Sequence, residues 1–198
     1  MIHKPSLFET EGCGGRSDQY RKAAAFRRAA HQGLGFRLGL FLSRHVNKVD
    51  RKGRVSVPAP FRAALVSEAY QGLILFRSLQ HQALEGCSLE QMQKLSAALD
   101  TADLPPDQKE LWATTIFGGS QAVPFDSEGR IVLPQDLSEF AEIDDAATFI
   151  GMGTTFQIWA PKAFTAHETA MRKQARSQGM SLRMISAGGP GKTKGGAS

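Results

Sequence analysis

Cysteine is scarce in this chain of 198 residues: Cys13 and Cys87 stand 74 positions apart, and no C-x-x-C occurs. Two isolated thiols exclude a disulfide-stapled scaffold and a thiolate zinc cluster, and they suit a reducing compartment. Long apolar runs are missing as well. No segment reaches the roughly 18 residues that span a bilayer. Gln, His and Gly break the N-terminal region before an apolar signal segment forms, so neither a membrane span nor a secretory leader is expected. The five histidines, His3, His31, His45, His81 and His167, show no H-x-H or H-x-x-x-H spacing, so no metal or cofactor is expected. The run Ser186–Thr193 (S-A-G-G-P-G-K-T) has Ser where a phosphate-binding loop has its first glycine. It also lacks the flanking strand and helix that such a loop requires. Nothing identifies a base for Cys87, which reads as a small packing residue. A catalytic site and a small-molecule substrate are therefore not expected.

What the chain does have is enough apolar residues for a core, 41%, and an uneven distribution of charge. Its formal net charge is +5, from 24 Lys and Arg against 19 Asp and Glu. Residues 1–37 carry seven bases and three acids, and residues 171–198 carry six bases and no acid. Between them, 38–96 holds eight bases and four acids, whereas 97–170 holds three bases and twelve acids. The body thus has a basic half and an acidic half. Within the basic half Arg44, Lys48, Arg51, Lys52, Arg54 and Arg62 fall close together, with Asp50 the one acid among them. A charge run is most often a solvated face; binding a polyanion requires such cations on one rigid surface. Both ends read as tails. Residues 1–39 mix glycines with an Arg/Ala stretch, and Gly179–Ser198 contains six glycines, compositions that bury too little surface to order themselves.

Self-comparison finds a repeat. Asp50–Pro58 (D-R-K-G-R-V-S-V-P) recurs 76 residues later as Asp126–Pro134 (D-S-E-G-R-I-V-L-P), and at the same offset Phe41 meets Phe117 and Phe61 meets Leu137. Each copy reads as an apolar-ended strand, a tight turn, a short alternating strand, a short helix and a second hairpin. The turns place Gly53 and Gly129 where positive φ is cheap, after an Asp able to cap the backbone. The short strands, Arg54–Val57 and Arg130–Leu133, end at Pro58 and Pro134, since proline cannot donate to a ladder. Leu89–Leu99 has helical spacing, and Pro105–Pro106 opens a further helix through Phe117. A copy of about 50 residues is too small to hold a good core alone, so two half-domains are expected to complete each other.

The stretches Phe41–Arg62 (F-L-S-R-H-V-N-K-V-D-R-K-G-R-V-S-V-P-A-P-F-R), Phe117–Pro134 and Phe156–Trp159 (F-Q-I-W) resemble the MraZ family, bacterial transcriptional regulators with two SpoVT-AbrB-type repeats. The resemblance covers roughly 41–166. It implies an α+β fold, mostly β with short helices, in which two repeats interlock as a double swapped-hairpin β-barrel. It also implies a ring-shaped homo-oligomer in the cytoplasm and nucleoid. The implied partner is double-stranded DNA, at short direct repeats upstream of the chain's own cell-division and cell-wall gene cluster, usually in repression. The expected division is an extension or misassigned start over 1–39, repeat one over 41–93, a helical connection over 94–116, repeat two over 117–166 and a basic tail over 167–198. Leu40-Phe41-Leu42 stands where family members begin with Met-Phe-Leu.

Phosphate binding points to the basic turn of repeat one. Arg51 and Lys52 are the candidate contacts, supported by Arg44 and Lys48 on the preceding strand. Arg54 and Arg130 divide between contact and scaffold, because each repeats with its Asp. Asp50, Gly53, Asp126 and Gly129 are read as turn scaffold. Repeat two has Ser127-Glu128 in place of Arg51-Lys52. Two alternatives stay open: an antitoxin-like AbrB relative, and a structural barrel whose basic tails bind RNA or nucleoid DNA without specificity.

Overall fold

The computed structural model describes residues 39–65 and 70–181. The expected N-terminal extension and most of the glycine-rich tail lie outside the described residues. From Leu40 to Ser181 the described residues form one compact unit of short antiparallel strands and short helices. Strand β1 (Arg44–Lys48) leads through a turn into β2 (Arg54–Ser56), helix α1 (Ala59–Ala64) and the hairpin β3 (Gly72–Arg77) and β4 (Leu84–Cys87). Helices α2 (Leu89–Thr101) and α3 (Pro106–Trp112) follow, the latter running into a wider π turn over Ala113–Phe117. The second copy repeats the order with β5 (Gln121–Pro124), β6 (Arg130–Val132), α4 (Gln135–Phe140), β7 (Ala146–Gly151), β8 (Phe156–Trp159) and α5 (Pro161–Ser177).

Six strands form one sheet in the order β1-β7-β8-β4-β3-β5, and β2 pairs with β6 as a separate ribbon. Exchanging the repeats reverses the sheet order onto itself, so the unit has a pseudo-two-fold axis between β4 and β8. Each repeat's first strand is hosted by the other's hairpin: β1 pairs with β7 (Val46 opposite Thr148) and β5 with β3 (Val123 opposite Leu73). The ribbon pairs Val55 with Ile131. Both point inward and are about 1% exposed.

Period-2 alternation divides the sheet's side chains between two faces. Leu73, Leu75, Leu84, Phe149, Phe156 and Ile158 meet the ribbon's Val55, Val57, Ile131 and Leu133 in the main core. Helices α1 and α4 close that core with Phe61, Leu65 and Leu137. The Phe61 ring lies 5.3 Å from Phe41, 5.5 Å from Phe156 and 6.1 Å from Phe149, so it ties all three together. On the opposite face α2 covers Ile74, Phe76 and Cys87 through Met92, and α5 covers Trp159 through Phe164. Cys87 is thus a buried packing residue in repeat one's satellite cluster.

Two boundaries differ from the expected division. The break between 93 and 94 falls inside α2, which Ser88 caps by accepting from the Gln91 amide at 3.0 Å. The break between 166 and 167 falls inside α5, which continues to Ser177. Its second half is rich in Ala, Met, Arg, Lys and Gln, strong helix formers that extend the helix without an apolar stripe.

One close approach tests this packing. Gly86 on β4 lies against the Phe156 ring, which a methyl group at that position would overlap. Gly86→Ala should destabilise the fold by about 1–3 kcal/mol, as overpacking does. Phe156→Leu in the same chain should relieve part of that cost, seen as a non-additive double-mutant cycle in urea denaturation. Full additivity would show that the two residues do not meet.

Candidate nucleic-acid interface

The two D-x-x-G-R motifs form the same turn, atom for atom. Asp50 Oδ1 accepts from the backbone amides of Lys52 (2.8 Å) and Arg54 (3.0 Å), while Oδ2 accepts from Arg54 Nε (2.7 Å). Asp126 makes the corresponding bonds to the amides of Glu128 and Arg130 (both 2.9 Å) and to Arg130 Nε (2.7 Å). Gly53 and Gly129 sit at φ 72° and 73°, in the left-handed region where a side chain would be strained. The carbonyl of each turn glycine accepts from the other repeat: Leu133 N donates to Gly53 O at 2.9 Å, and Val57 N donates to Gly129 O at 3.1 Å. Each turn is therefore fixed from within by its Asp and from outside by its counterpart.

On that frame Arg51 and Lys52 stand exposed at the tip of repeat one's turn. Neither makes an ion pair among the described residues. Lys48 is exposed on β1 where it enters the turn, and Val49 bridges Val55 to close the hairpin. Arg54 and Arg130 both belong to the ribbon's outer face, in register with Val132 and Ser56 respectively. Their restraint differs. Arg54 pairs with Asp50 alone at 2.6 Å, whereas Arg130 is held between Asp126 (2.7 Å) and Glu128 (2.8 Å). Formal charges over Asp50–Arg54 and Asp126–Arg130 give the first turn +2 and the second −1. Arg44 is drawn away from the turn: its Nη1 donates to Glu168 on α5 at 2.7 Å, and its guanidinium lies 5.8 Å from the centre of the Phe164 ring.

Other contributors are invisible to motif reading. Arg62 on α1 donates to the Val57 carbonyl at 3.2 Å and lies against Gly129, bracing the opposite repeat's turn. Asn47 Nδ2 donates to Ser56 O at 2.6 Å and ties β1 to the ribbon. His81 and His167, distant in sequence, come within 4.6 Å between ring centres, and His167 stacks on Trp159 at 4.7 Å. Burial and the nearby His81 lower the pKa of His167. Among the described residues no group of three His, Cys, Asp or Glu side chains is placed to hold a metal, and no helix is long and apolar enough to cross a membrane.

Residues 116–184 match the family model described as "MraZ protein, putative antitoxin-like". The chain is 38% identical over 146 residues to the transcriptional regulator MraZ of Rickettsia akari, covering 74% of this chain and 98% of the relative. It is 42% identical over 144 residues to the protein of the same name from Pelagibacter ubique, covering 73% and 93%. The relative in Rickettsia rickettsii is 39% identical over 146 residues. The chain belongs to the MraZ family.

The Asp50 contacts set a pH dependence. The Arg54 side-chain hydrogen bond, then the Arg54 amide, lower its pKa from 3.8 to about 2. A depressed folded-state pKa means the ionised group stabilises the fold above its unfolded value, and this contribution is lost as pH falls through the folded one. Asp126 is lowered in the same direction, first by the Arg130 amide and then by its side chain. The wild-type melting temperature should therefore fall between about pH 4 and about pH 2 more steeply than that of an Asp50→Asn/Asp126→Asn variant. Parallel curves would remove the two turns from the acid response.

Proposed function

We propose that this chain binds double-stranded DNA through the turn of repeat one and regulates transcription as a self-assembled ring. The exchange of first strands and the β2–β6 ribbon support reading the unit as an interlocked swapped-hairpin barrel of SpoVT-AbrB type. The observation that carries the DNA reading is the contrast between the two turns. They have the same backbone hydrogen bonds, yet one presents exposed Arg51 and Lys52 and the other presents Glu128 paired with Arg130. Cations on a rigid tip can neutralise phosphates and release counterions. Arg51 can also reach a guanine edge with two hydrogen bonds from its planar fork, whereas Lys52 mainly supplies a point charge. Lys48 and Arg54 extend the basic surface along β1 and the ribbon, and Arg130 is a weaker contributor because two carboxylates already hold it. Asp50, Gly53, Asp126 and Gly129 serve as scaffold.

Several copies of one modest contact in a ring give avidity on repeated sites. Short direct repeats upstream of the chain's own cell-division and cell-wall genes are the matching target, with repression as the outcome. The work is binding rather than catalysis, and it belongs in the cytoplasm at the nucleoid.

Arg51→Ala/Lys52→Ala should weaken binding to the upstream repeats strongly while the circular-dichroism spectrum and the oligomer mass stay unchanged. Each lost phosphate contact should also reduce the slope of log K against log salt by about 0.9. The measurement is a set of binding isotherms at several salt concentrations, with shuffled DNA as competitor. Unchanged affinity and slope would exclude this turn as the DNA surface. A wild-type protein that prefers the repeats no more than shuffled DNA would leave only non-specific binding.

A further inference from the structure

The two turns also differ in what lies beside their glycines. At repeat two's turn, Arg62 of α1 lies against Gly129, and its Nε donates to the Val57 carbonyl at 3.2 Å. Each of these residues has a counterpart 76 positions away: Ser138 on α4 for Arg62, Gly53 for Gly129 and Leu133 for Val57. The place beside Gly53 therefore has a serine where the place beside Gly129 has a guanidinium. It is an open groove of about 410 Å³, and Gly53, Leu133 and Ser138 all line it. The Leu133 carbonyl, counterpart of the one that Arg62 binds, stands beside Gly53. Ser138 does not take Arg62's role, because its hydroxyl donates to the Gln135 carbonyl of its own helix at 3.0 Å.

The rest of the lining suits a guanidinium as well. Val49, Leu133 and Ile143 give apolar surface, and the exposed Asp144 and Asp145 supply carboxylates. The third acid of the lining, Asp50, is already taken by Arg54. Arg51 is the one base, so three acids against it leave the groove with a formal charge of −2. A guanidinium offers donors in a planar fork, which a carbonyl and carboxylates can share. A phosphate would be repelled by this rim. A bare divalent cation would lack ligands, since among the described residues no three His, Cys, Asp or Glu side chains are placed to hold one.

We propose that this groove binds the guanidinium of another molecule, set against Gly53 as Arg62 is set against Gly129. The Leu133 carbonyl and the carboxylates of Asp144 and Asp145 are its acceptors. The ligand class is an arginine-like cation, either a free guanidino compound or an arginine side chain carried on a peptide. The groove has the size of a small-molecule site. It also shares Arg51 and Gly53 with the basic turn. An occupant would offset the two carboxylates beside that turn and so strengthen its hold on phosphate. That consequence rests on the DNA reading; the binding itself does not. Coupling of this kind is reciprocal, so DNA would in turn tighten the ligand.

The test is isothermal titration calorimetry on the full chain without DNA. The probes are agmatine, a free guanidino compound, and N-acetylarginine amide, an arginine as a peptide carries it. Wild type should bind at least one of them saturably, and the tighter of the two assigns the source. The variant Asp144→Asn/Asp145→Asn should weaken that binding by about tenfold or more, the loss expected when charged acceptors are removed. Ser138→Arg should abolish it by supplying the guanidinium from within, and should raise the melting temperature. Should Ser138→Arg disturb α4, the exposed Asp144/Asp145 pair still decides the matter. The compound 1,4-diaminobutane, which has an amine where agmatine has its guanidinium, should bind more weakly because it lacks the fork. Wild type that binds neither probe saturably would overturn the proposal, as would binding that both variants keep or equal affinity for the diamine. None of these results bears on DNA binding, so the two readings fail separately.

Discussion

The structure depends on a pair of backbone hydrogen bonds that cross between the repeats, from Leu133 to Gly53 and from Val57 to Gly129. They flank the three-residue ribbon whose inward side chains, Val55 and Ile131, enter the main core. A ribbon this short would have little stability by itself. It persists because its inner face is buried, and because each turn glycine offers its carbonyl only when φ is near 72°. The exchanged strands β1 and β5 follow the same logic. Neither repeat can complete its part of the sheet without a strand from the other, so folding couples the halves into one unit.

This coupling explains how two turns can share a backbone and differ in charge. The residues that hold the turn are those present in both copies: the Asp that caps two amides, the glycine with positive φ, the Arg that pairs with the Asp, and the proline that ends the strand. In repeat one the middle pair holds the turn only through the Lys52 backbone amide, which any non-proline residue supplies, so its side chains are free to differ. In repeat two it is Ser127-Glu128, and Glu128 adds a second carboxylate to Arg130. Exposed ion pairs of this kind contribute little to stability. Their larger effect is on position, since Arg130 is oriented by two acids and Arg54 by one.

Much of this architecture was legible in the sequence because the repeat supplies its own control. Two in-phase D-x-x-G-R motifs with alternating apolar residues and a closing proline locate both turns, both short strands and the helices α1 and α4. The spacing of Leu89–Leu99 locates α2. Strand pairing was less legible: period 2 says which face of β1 is buried but not that β7, about 100 residues later, lies beside it. The same holds for Arg44. Its place in the basic run suggested a common surface with Arg51, and nothing local in the sequence announced its ion pair with Glu168 on α5. The second half of α5 falls in the stretch read as a basic, glycine-rich tail, although its own composition favours helix. The stack of His81, His167 and Trp159 is a tertiary contact with no local signal.

The sheet also has two differently covered faces. The ribbon and its turns cap one face, over the main core, while α2 with the π turn and α5 cover the other. Between them lies a layer of buried rings, Phe41, Phe61, Phe149 and Phe156, with centres 4.9 to 6.1 Å apart. A rigid layer fixes the orientation of the basic turn relative to the helices on the far side. Copies assembled as proposed would then present their turns at a set spacing and angle. Avidity needs this geometry, because linked contacts add only when they can engage together. A turn already fixed by its own Asp also loses little conformational freedom on binding, which removes a cost that a flexible basic loop would carry. Under the proposed DNA reading the Asp–Arg pair would act mainly through order: it holds the backbone from which Arg51 and Lys52 project.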